Sequence, residues 1–412
     1  MKILIVGEGG RESALAMKLK EDSRISNMYF AKGNATTDAI GKNVYESDVI
    51  ALRDFAIKEQ IDLTIVGPEA TLVDGIVDEF NQHGLKIFGA KQRAATLEGS
   101  KAFSKKFMQT YGIKTAEAVV FDSYLEAQNY IKKQKFPLVV KASGLAGGKG
   151  VVICDNLEQA EATIHDFMIR RVYGDAGIQV IVEEYLQGFE ASIIAFSNGE
   201  KLYPCIPVKD YKKVGNGDKG ANTGGMGSVA PSPQFTVEHM ADFEKNILEP
   251  TLNGLKEEHL KFKGFIFFGL MVTPKGCYLL EYNMRLGDPE TQVILPLLEN
   301  NLLDVINDCL EGRDIELKFA DKKAVCLVMC SGGYPRNIET GFEIKGLDKV
   351  EQSQVLFAGA ANRGSRIVTT GGRVLNLVAT GDTYEEARKK VYDDALPVHF
   401  DYCFYREDIA KF

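Results

Sequence analysis

Three polar residues alternate with apolar ones in the segment Leu279–Leu286, namely Glu281, Asn283 and Arg285. Because successive side chains of a β-strand point to opposite faces, a strand here would place all three on one face. Carboxylate and amide oxygens suit a hard cation such as Mg²⁺, and a neighbouring guanidinium suits phosphate or carboxylate oxygens. The spacing is typical of a face that binds a metal–triphosphate, although taken alone an edge strand with polar residues facing water explains it more often.

A glycine-rich segment, Gly144–Gly150, follows a predicted strand that ends at Lys141, and it contains a second lysine, Lys149. Glycines let backbone N–H groups approach phosphate oxygens, and lysines neutralise phosphate charge. No Gly-Lys-Ser/Thr sequence opens a helix here, so the segment differs from a Walker A loop. We interpret it as a flexible flap that joins two strands and covers phosphates, with a purely structural β-turn as the alternative.

A weaker signal is the sequence Glu183-Glu184-Tyr185-Leu186, which follows another predicted strand and precedes Glu190. An extended segment of this kind offers backbone groups to the edge of an adenine ring. An acid a few residues later can accept hydrogen bonds from ribose hydroxyls. By itself, a charged strand end in contact with water explains these residues more simply.

The N-terminal turn Gly7–Glu12 is similar to a dinucleotide-binding fingerprint, which makes an NAD-dependent dehydrogenase one alternative. However, Glu12 stands at the position of the third glycine, and the second predicted strand ends in Lys32 rather than in an acid for a ribose. A helix N-terminus beside Arg11 fits a small phosphate or carboxylate better than NAD. A tight turn without any ligand is the simpler alternative.

Strand and helix patterns alternate through residues 1–99, which predicts a parallel, doubly wound sheet whose loops meet at the carboxyl ends of its strands. A second α/β unit begins near Ser100, a predicted N-cap, and the polar segment Lys209–Gly227 is long enough to be functional or disordered. The predicted strands are Lys2–Val6, Asn27–Ala31, Asp62–Val66, Lys86–Phe88, Pro137–Lys141, Val151–Cys154, Gln179–Glu184, Ala191–Phe196, Lys263–Val272, Cys277–Tyr282, Ala324–Met329, Val355–Ala358, Ile367–Val368 and Val374–Ala379, and the longest predicted helices are Leu157–Met168, Glu238–Leu260, Gln292–Gly312 and Thr383–Tyr392.

The composition is that of an ordinary globular protein of two to four domains, with 412 residues, 45% hydrophobic and 26% charged. A net charge of -8 argues against a protein that binds nucleic acid or a membrane surface. Seven cysteines without Cys-x-x-Cys pairs indicate reduced thiols, and the longest apolar run, Gly264–Val272, is too short to span a membrane. We therefore expect a cytoplasmic enzyme with small-molecule partners.

Lys101, Lys141, the glycine flap, the Glu183–Glu190 segment and the Glu281–Arg285 strand follow one another in the order found in ATP-grasp enzymes. Motifs along the whole chain also resemble those of the glycinamide ribonucleotide synthetase family. The sequences N-T-G-G-M-G and G-D-P-E-T-Q are highly specific, whereas the glycine turn is not. The motifs are G-x-G-G-R-E at 7–12, V-G-P-E at 66–69, E-G-S-K at 98–101, G-L-A-x-G-K-G-V at 144–151, N-T-G-G-M-G at 222–227, R-x-G-D-P-E-T-Q at 285–292 and G-G-R-V-L at 371–375.

Four positions depart from the family pattern. Ser13 and Tyr211 stand where the family usually has histidine, and Ala90 and Ala221 stand where it usually has proline. We expect these departures to cluster around the amine substrate, so another ATP-grasp carboxylate–amine ligase with a different amine acceptor is an alternative. A catalytically silent binding protein is disfavoured by the intact Glu281–Arg285 strand.

The resemblance implies an α/β protein with the ATP-grasp fold, an N-terminal doubly wound parallel-sheet domain and a small, mostly-β C-terminal domain. It places the N-terminal domain at 1–99, the central domain at 100–118 and 188–322, the lid at 119–187 and the C-terminal domain at 323–412. It also implies ligation of glycine to 5-phosphoribosylamine in purine biosynthesis, by a monomer, with ADP and phosphate released through a glycyl phosphate intermediate.

The resemblance further assigns each candidate residue to one part of this reaction. Arg285 and Lys149 would act in catalysis, and Glu281 and Asn283 would hold Mg²⁺ or Mn²⁺. The expected ATP contacts are Lys101, Lys141, Gly147, Gly148, Lys149, Glu183, Tyr185, Leu186 and Glu190, and the expected substrate contacts are Gly9, Gly10, Arg11, Glu69, Asp210, Lys212, Asn222, Thr223, Gly224, Gly225, Met226, Gly287 and Asp288.

Overall fold

The computed structural model describes residues 1–412, and the first part of the chain is a parallel sheet with apolar clusters on both faces. Its elements are β1 Lys2–Gly7, α1 Gly10–Leu19, β2 Asn27–Lys32, α2 Ala35–Ile40, β3 Lys42–Val44, α3 Val49–Glu59, β4 Leu63–Val66, α4 Glu69–Val73, α5 Ile76–Gln82, β5 Ile87–Phe88 and α6 Gln92–Gly99. The strand order β3-β2-β1-β4-β5 confirms the predicted doubly wound sheet. Only the short, partly exposed β3 was not predicted.

The segment expected to form the lid, here called the lid, contains a small antiparallel sheet that follows a helix, α7 Lys101–Thr110, capped by the Ser100 hydroxyl. Its elements are β6 Ala118–Phe121, α8 Tyr124–Ile131, β7 Leu138–Ala142, β8 Val151–Cys154, α9 Leu157–Met168, a 3₁₀ turn at Gly174–Gly177 and β9 Val180–Glu184. The strand order is β6-β9-β7-β8, and Lys141 of β7 pairs with Val151 of β8. The glycine-rich segment therefore joins two paired strands, as predicted.

The central part contains the strand that carries Glu281 and Asn283. Its elements are β10 Phe189–Asn198, β11 Leu202–Pro204, β12 Lys209–Asp210, β13 Lys213–Gly215, β14 Lys219–Asn222, β15 Gly227–Ala230, α10 Val237–Phe243, a π-helical turn at Glu244–Leu248, α11 Glu249–Glu257, β16 Lys263–Thr273, β17 Gly276–Asn283, α12 Thr291–Ile294 and α13 Leu302–Glu311. A sheet of order β11-β10-β16-β17 places β17 at one edge. The predicted hairpin of β16 and β17 is confirmed.

The single helix predicted over Gln292–Gly312 is wrong, because the structure has two separate helices there, α12 and α13. Pro296 explains the break. Proline has no N–H to donate to the carbonyl four residues earlier, and its ring crowds that carbonyl. The helix α12 accordingly ends at Ile294, and Leu298 instead forms a β-bridge with Phe319.

The C-terminal sheet contains strands from two distant parts of the chain. Its own elements are β18 Lys323–Cys330, a 3₁₀ turn at Leu347–Lys349, β19 Gln354–Phe357, β20 Ala360–Arg363, β21 Arg366–Thr369, β22 Arg373–Gly381 and α14 Tyr384–Ala395. The strand order is β12-β15-β18-β22-β19, so two strands from before residue 231 complete the sheet. This sheet crosses the boundary expected at residue 322.

The hydrophobic clusters show which parts of the chain share a core. The N-terminal and central sheets share two large clusters, which contain Leu4 with Phe268 and Ile3 with Phe265 respectively. The lid has a separate, smaller cluster that includes Ile131 and Phe167. The lid is therefore the part of the molecule that can move without disturbing the other cores.

Candidate active site

A cavity of about 840 Å³ lies where the N-terminal sheet, the lid and the β16–β17 hairpin meet. The carboxyl ends of β1, β2 and β4 border it, as is usual for ligand sites of open parallel sheets. The flap between β7 and β8 borders its opposite side. Acidic and basic side chains are concentrated along its wall, so the site suits a highly charged ligand.

Glu281 is a half-buried carboxylate on the cavity wall that stays ionised because cations surround it. Burial disfavours its charge, but Lys212, Lys141, Lys101 and Arg285 together lower its pKa below the ordinary value. Each of these cations forms its hydrogen bond or ion pair with a different group. The Glu281 oxygens are therefore free to bind a cation. No cluster of three or more His, Cys, Asp or Glu that could hold a metal occurs in the structure.

Asn283 and Arg285 lie next to Glu281 on the cavity wall. The Arg285 Nη2 donates to the Asn283 Oδ1 at 3.3 Å and pairs with the Glu98 Oε1 at 3.0 Å, while its Nε pairs with the Glu69 Oε2 at 3.3 Å. Glu98 also accepts from the Met284 N–H at 2.7 Å. Burial raises the pKa of Glu98 to about 7 in spite of the opposing Arg285.

A buried ion triad holds one of the predicted phosphate lysines. The Glu183 carboxylate pairs with the Lys141 Nζ at 2.7 Å and with the Lys105 Nζ at 2.9 Å, and the Lys105 Nζ also donates to the Thr115 hydroxyl at 2.7 Å. Burial opposes the charge of Glu183, but the two lysines lower its pKa. The Glu183 side chain was expected at the adenine edge, and in the structure it is bound to these lysines.

The flap is exposed at its tip and makes few contacts with the rest of the molecule. Gly147 and Gly148 have φ of 56° and 74°, which favour glycine, and a Cβ at either position would meet nothing within 4 Å. The Lys101 Nζ donates to the Gly144 carbonyl at 3.2 Å. Lys149 is exposed, and its carbonyl accepts from the Tyr173 hydroxyl at 2.9 Å.

A group of acids lies on the other side of β17. The Lys212 Nζ pairs with the Glu190 Oε2 at 2.7 Å, and the Ser192 hydroxyl donates to the Glu290 Oε1 at 3.1 Å. The Asp210 Oδ1 is buried and has no hydrogen-bond partner. Burial and the neighbouring Glu290 raise the pKa of Asp210 well above its ordinary value. This corner of the cavity can accept a hydrogen-bond donor or a positive charge.

The amino end of α1 binds carboxylates of the protein itself. The Gly9 N–H donates to the Glu12 Oε2 at 2.6 Å, and the Arg11 N–H donates to the Asp288 Oδ2 at 3.0 Å. The Arg11 Nε pairs with the Glu12 Oε1 at 2.6 Å. A dinucleotide pyrophosphate would need these same amides. The geometry therefore argues against the dehydrogenase alternative.

The structure brings most of the predicted residues together around the cavity. The predicted residues that line it are Gly9, Arg11, Glu69, Lys101, Lys141, Gly147, Gly148, Glu183, Tyr185, Leu186, Glu190, Asp210, Lys212, Asn222, Thr223, Gly224, Glu281, Asn283, Arg285, Gly287 and Asp288. Those that do not line it are Gly10, Lys149, Gly225 and Met226. Met226 is fully buried in a hydrophobic core, and a Cβ on Gly10 would lie 2.4 Å from Asn376, so both serve packing.

None of the four departures from the family pattern lines the cavity directly, but Tyr211 lies between Asp210 and Lys212, and Ala221 lies beside Asn222, which do line it. The Ser13 hydroxyl is buried and donates to the Phe357 carbonyl at 2.6 Å. Tyr211 is buried in the C-terminal core, and its hydroxyl accepts from the Ala410 N–H at 3.0 Å. Ala90 is fully buried.

Several charged residues that line the cavity were not predicted as site residues, and among them are Glu98, Lys105, Glu290 and Arg373. Lys105 follows Lys101 by one helical turn on α7, and this spacing was the available signal. Glu98, Glu290 and Arg373 occur within motifs that identify the family, but the resemblance assigned no role to these three residues.

The chain matches three family descriptions in order along its length. These are phosphoribosylglycinamide synthetase, N domain, over residues 1–98, its ATP-grasp (A) domain over residues 99–291, and its C domain over residues 324–412. The phosphoribosylamine–glycine ligase of Clostridium acetobutylicum is 48% identical over 415 residues and covers 100% of both chains. That of Caldanaerobacter subterraneus is 46% identical and covers 100% of this chain and 99% of its own.

Solved structures agree with the sequence matches. The crystal structure of phosphoribosylamine–glycine ligase from Thermotoga maritima has a TM-score of 0.85 at 35% identity, over 99% of this chain and 100% of its own. The biotin carboxylase domain of a Hydrogenobacter thermophilus carboxylase, solved with MgADP, has a TM-score of 0.77 at 14% identity, over 98% and 91%, and shows a shared fold only. With full-length matches to both sequence and structure, the chain belongs to the phosphoribosylglycinamide synthetase family of ATP-grasp ligases.

Proposed function

We propose that this chain joins the carboxylate of glycine to the amine of 5-phosphoribosylamine and converts ATP to ADP and phosphate. The observation that carries the proposal is that Glu281, Asn283 and Arg285 line one cavity together with Lys101 and Lys141. A carboxylate is a poor electrophile until it is phosphorylated. Phosphoryl transfer depends mainly on positioning and charge neutralisation, and these residues supply both. Relatives named phosphoribosylamine–glycine ligase match the chain over its full length.

The lid side of the cavity would hold ATP. Lys101 and Lys141 would neutralise phosphate oxygens, and the amides of Gly147 and Gly148 would cover them. The backbone of Tyr185 and Leu186 would meet the adenine edge, and Glu190 would accept from the ribose. Glu183 would act by fixing Lys141, because its carboxylate already holds that lysine at 2.7 Å. Lys149 would reach the phosphates only when the flap closes.

Glu281 and Asn283 fit Mg²⁺ or Mn²⁺, because both offer hard oxygen donors and the Glu281 carboxylate is ionised. The bound metal would neutralise charge on the terminal phosphates. Two protein ligands leave room for phosphate oxygens and water around the ion. The Arg285 hydrogen bond to the Asn283 Oδ1 fixes the amide with its oxygen toward the guanidinium.

The other side of the cavity would hold the reacting carboxylate and the amine. Arg285 would orient the glycine carboxylate, and Asp210 beside Glu290 would accept from its ammonium group. Asn222, Thr223, Gly224, Gly287 and Asp288 from the central part, with Gly9, Arg11 and Glu69 from the N-terminal sheet, would contact the phosphoribosylamine.

The reaction would proceed in two displacements. A glycine carboxylate oxygen attacks the γ-phosphorus, the bond to the ADP oxygen breaks, and ADP leaves. The amine nitrogen then attacks the acyl carbon, the carbon–oxygen bond breaks, and phosphate leaves with that oxygen while the nitrogen loses a proton. The closed flap would exclude water, which would otherwise hydrolyse the acyl phosphate.

Glycine with a heavy-oxygen carboxylate tests this mechanism. The enzyme is supplied with labelled glycine, ATP–Mg²⁺ and phosphoribosylamine, and the products are examined by mass spectrometry. Label in inorganic phosphate, together with ADP, supports acyl phosphate chemistry. Label in AMP with release of pyrophosphate would overturn the mechanism, because adenylation would then activate the carboxylate. Absence of any amide product with these substrates would overturn the proposed function.

We also propose that the chain works as a monomer in the cytoplasm. All seven cysteines are unpaired, which fits a reducing compartment. No helix of the structure is long and apolar enough to cross a membrane. Light scattering of the purified protein would measure its mass, and a mass of about twice 45.4 kDa would contradict the monomer.

A further inference from the structure

Two side chains of the C-terminal part, those of Tyr334 and Arg373, form hydrogen bonds with the backbone N–H and the backbone carbonyl of Gly224. The Gly224 N–H donates to the Tyr334 hydroxyl at 2.9 Å, and the Gly224 carbonyl accepts from the Arg373 Nη1 at 2.7 Å. A Cβ on Gly224 would lie 3.1 Å from the guanidinium carbon of Arg373, so a larger residue here would push against the guanidinium. Gly224 and Arg373 both line the cavity, whereas Tyr334 does not, and both Tyr334 and Arg373 belong to the chain beyond residue 322.

Arg373 also holds a second loop of the cavity. The same Nη1 donates to the Asp288 carbonyl at 2.6 Å and lies 3.3 Å from the Asp288 Oδ1. Burial opposes ionisation of Asp288, but Arg373 and Arg11 lower its pKa. One guanidinium of the C-terminal part therefore fixes the spacing between the Gly224 loop and the Asp288 loop.

The grip on Gly224 extends to charged groups of the site. The next residue toward the amino end, Thr223, donates both its N–H and its hydroxyl to the Lys212 carbonyl, each at 2.8 Å. On the other side, a Cβ on Gly225 would lie 2.7 Å from the unpartnered Asp210 Oδ1 and 2.4 Å from Pro289. The Gly224 loop is thus packed between Lys212, Asp210 and the segment that follows Asp288.

We infer that Arg373, assisted by Tyr334, is a positioning residue. Through it the C-terminal domain fixes the loops that would bind the amine acceptor at a defined distance from β17, which carries Glu281 and Asn283. The inference rests on the proposed function, since it concerns how the amine meets the activated carboxylate. Arg373 acts on ligation and not on ATP binding, because its hydrogen bonds and its ion pair reach the Gly224 and Asp288 loops but no lid residue.

This role predicts a particular failure when the grip is lost. The carboxylate is still phosphorylated, but the amine is displaced from the acyl carbon, and a misplacement of about 1 Å costs on the order of 100-fold in rate. Water then attacks the acyl carbon instead, the carbon–oxygen bond breaks, and glycine and phosphate are formed. ADP is released without amide product, so the amount of ADP exceeds the amount of amide product.

The test measures the ratio of ADP to amide product in the wild type, Arg373→Met, Arg373→Lys and Tyr334→Phe. The control is Arg363→Met, which removes an exposed arginine on the hairpin of the same domain. We expect a ratio near one in the wild type and the control, and several-fold more ADP than product in Arg373→Met. Arg373→Lys retains the charge and a donor and should recover part of the coupling.

ATP affinity and the thermal unfolding midpoint are measured for every variant, to separate positioning from loss of structure. If Arg373→Met does not fold, Tyr334→Phe decides, because it removes only the acceptor for the Gly224 N–H. Ratios near one in every folded variant, beside an active wild type, would overturn this inference alone. A wild type that makes no amide product would overturn the proposed function and this inference with it.

Discussion

Glu281 shows how a single residue can be prepared for a ligand before the ligand arrives. Taking an ionised carboxylate out of water is costly unless it is paired or bound to a metal. Here Lys212, Lys141, Lys101 and Arg285 lower its pKa, yet each has a closer partner of its own. The Glu281 carboxylate is therefore ionised but has no direct ion-pair partner, and a bound cation would supply one.

Glu281→Gln should abolish ligation while leaving a folded protein that still binds ATP weakly. The amide keeps the shape of the side chain but removes the charge that holds the metal, and we expect a loss of at least about 100-fold in turnover. ADP release measures the loss. Glu257→Gln, an exposed change on α11, is the matched control. Turnover like that of the wild type in folded Glu281→Gln would refute the metal assignment.

Glu98 gives the unfolding free energy a pH dependence with a defined sign. Burial raises its folded-state pKa to about 7, so between its ordinary value of 4.5 and about 7 the folded protein binds a proton that the unfolded chain releases. The contribution of Glu98 to stability is therefore present below the lower value and is lost as pH rises, by up to about 3 kcal/mol. Denaturant titrations across this pH window measure the free energy of unfolding. Its fall with rising pH should be shallower for Glu98→Gln than for Glu299→Gln, an exposed control. Equal slopes would contradict the buried, protonated carboxyl.

At the scale of elements, α7 presents two lysines to the cavity because they are one turn apart. Lys101 reaches the flap carbonyl of Gly144, and Lys105 reaches Glu183 on β9. Glu183 divides its two oxygens between Lys105 and Lys141, so the helix helps to place a lysine on another element. The sequence spacing is a helical one, but the partner on β9 is set by the tertiary fold.

Lys105→Met should weaken ATP binding by roughly tenfold and destabilise the protein by about 3 kcal/mol. Without Lys105, Glu183 binds Lys141 alone and competes more strongly with phosphate for it. Lys106→Met changes the exposed neighbour on the same helix and should leave ATP affinity unchanged. Calorimetric titration with ATP measures both variants. Equal affinities in the two would show that the triad does not prepare Lys141.

The flap offers a direct test of closure, because Lys149 is an exposed trypsin site within it. Without nucleotide, trypsin should cut after Lys149 and release a fragment of residues 1–149. ATP–Mg²⁺ should suppress this cut, because phosphates provide contacts that favour the closed flap. Cleavage after exposed Lys219, on β14, serves as the internal control. Equal cleavage at Lys149 with and without nucleotide would count against closure.

The elements themselves could be predicted well from local pattern, and the errors have local causes. The β16–β17 hairpin, the flap between β7 and β8 and the Ser100 cap were all predicted because strand alternation and capping are properties of neighbouring residues. The single helix predicted over Gln292–Gly312 is wrong because Pro296 interrupts it. The Glu183 triad and the Arg373 grip could not be predicted, because their partners lie far apart in sequence and meet only through tertiary packing.

At the scale of the whole molecule, the C-terminal sheet ties the end of the chain to its middle. β15 pairs with β18 from Gly227 opposite Leu327 to Ala230 opposite Ala324. The core beside this sheet includes Tyr211 and Val229 from the middle of the chain and Ala35 from α2. The C-terminal part is therefore built around residues that it does not itself contain, in contrast to the lid, whose core is its own.

This architecture predicts that residues 323–412 will not fold cooperatively when expressed alone. The excised piece would lose Val229 and Tyr211 from its core, at about 2 kcal/mol each, and a domain of this size has only about 5–10 kcal/mol of net stability. It would also expose the edge of β18, whose unpaired backbone groups promote association. Circular dichroism on heating and size-exclusion chromatography would show a broad transition and aggregates.

Addition of a peptide spanning residues 205–232 should sharpen the transition, because it restores β12 and β15. A sharp transition of the isolated, monomeric piece without that peptide would show that the shared strands are dispensable for folding, and the positioning role of the C-terminal domain would then rest on the Arg373 contacts alone.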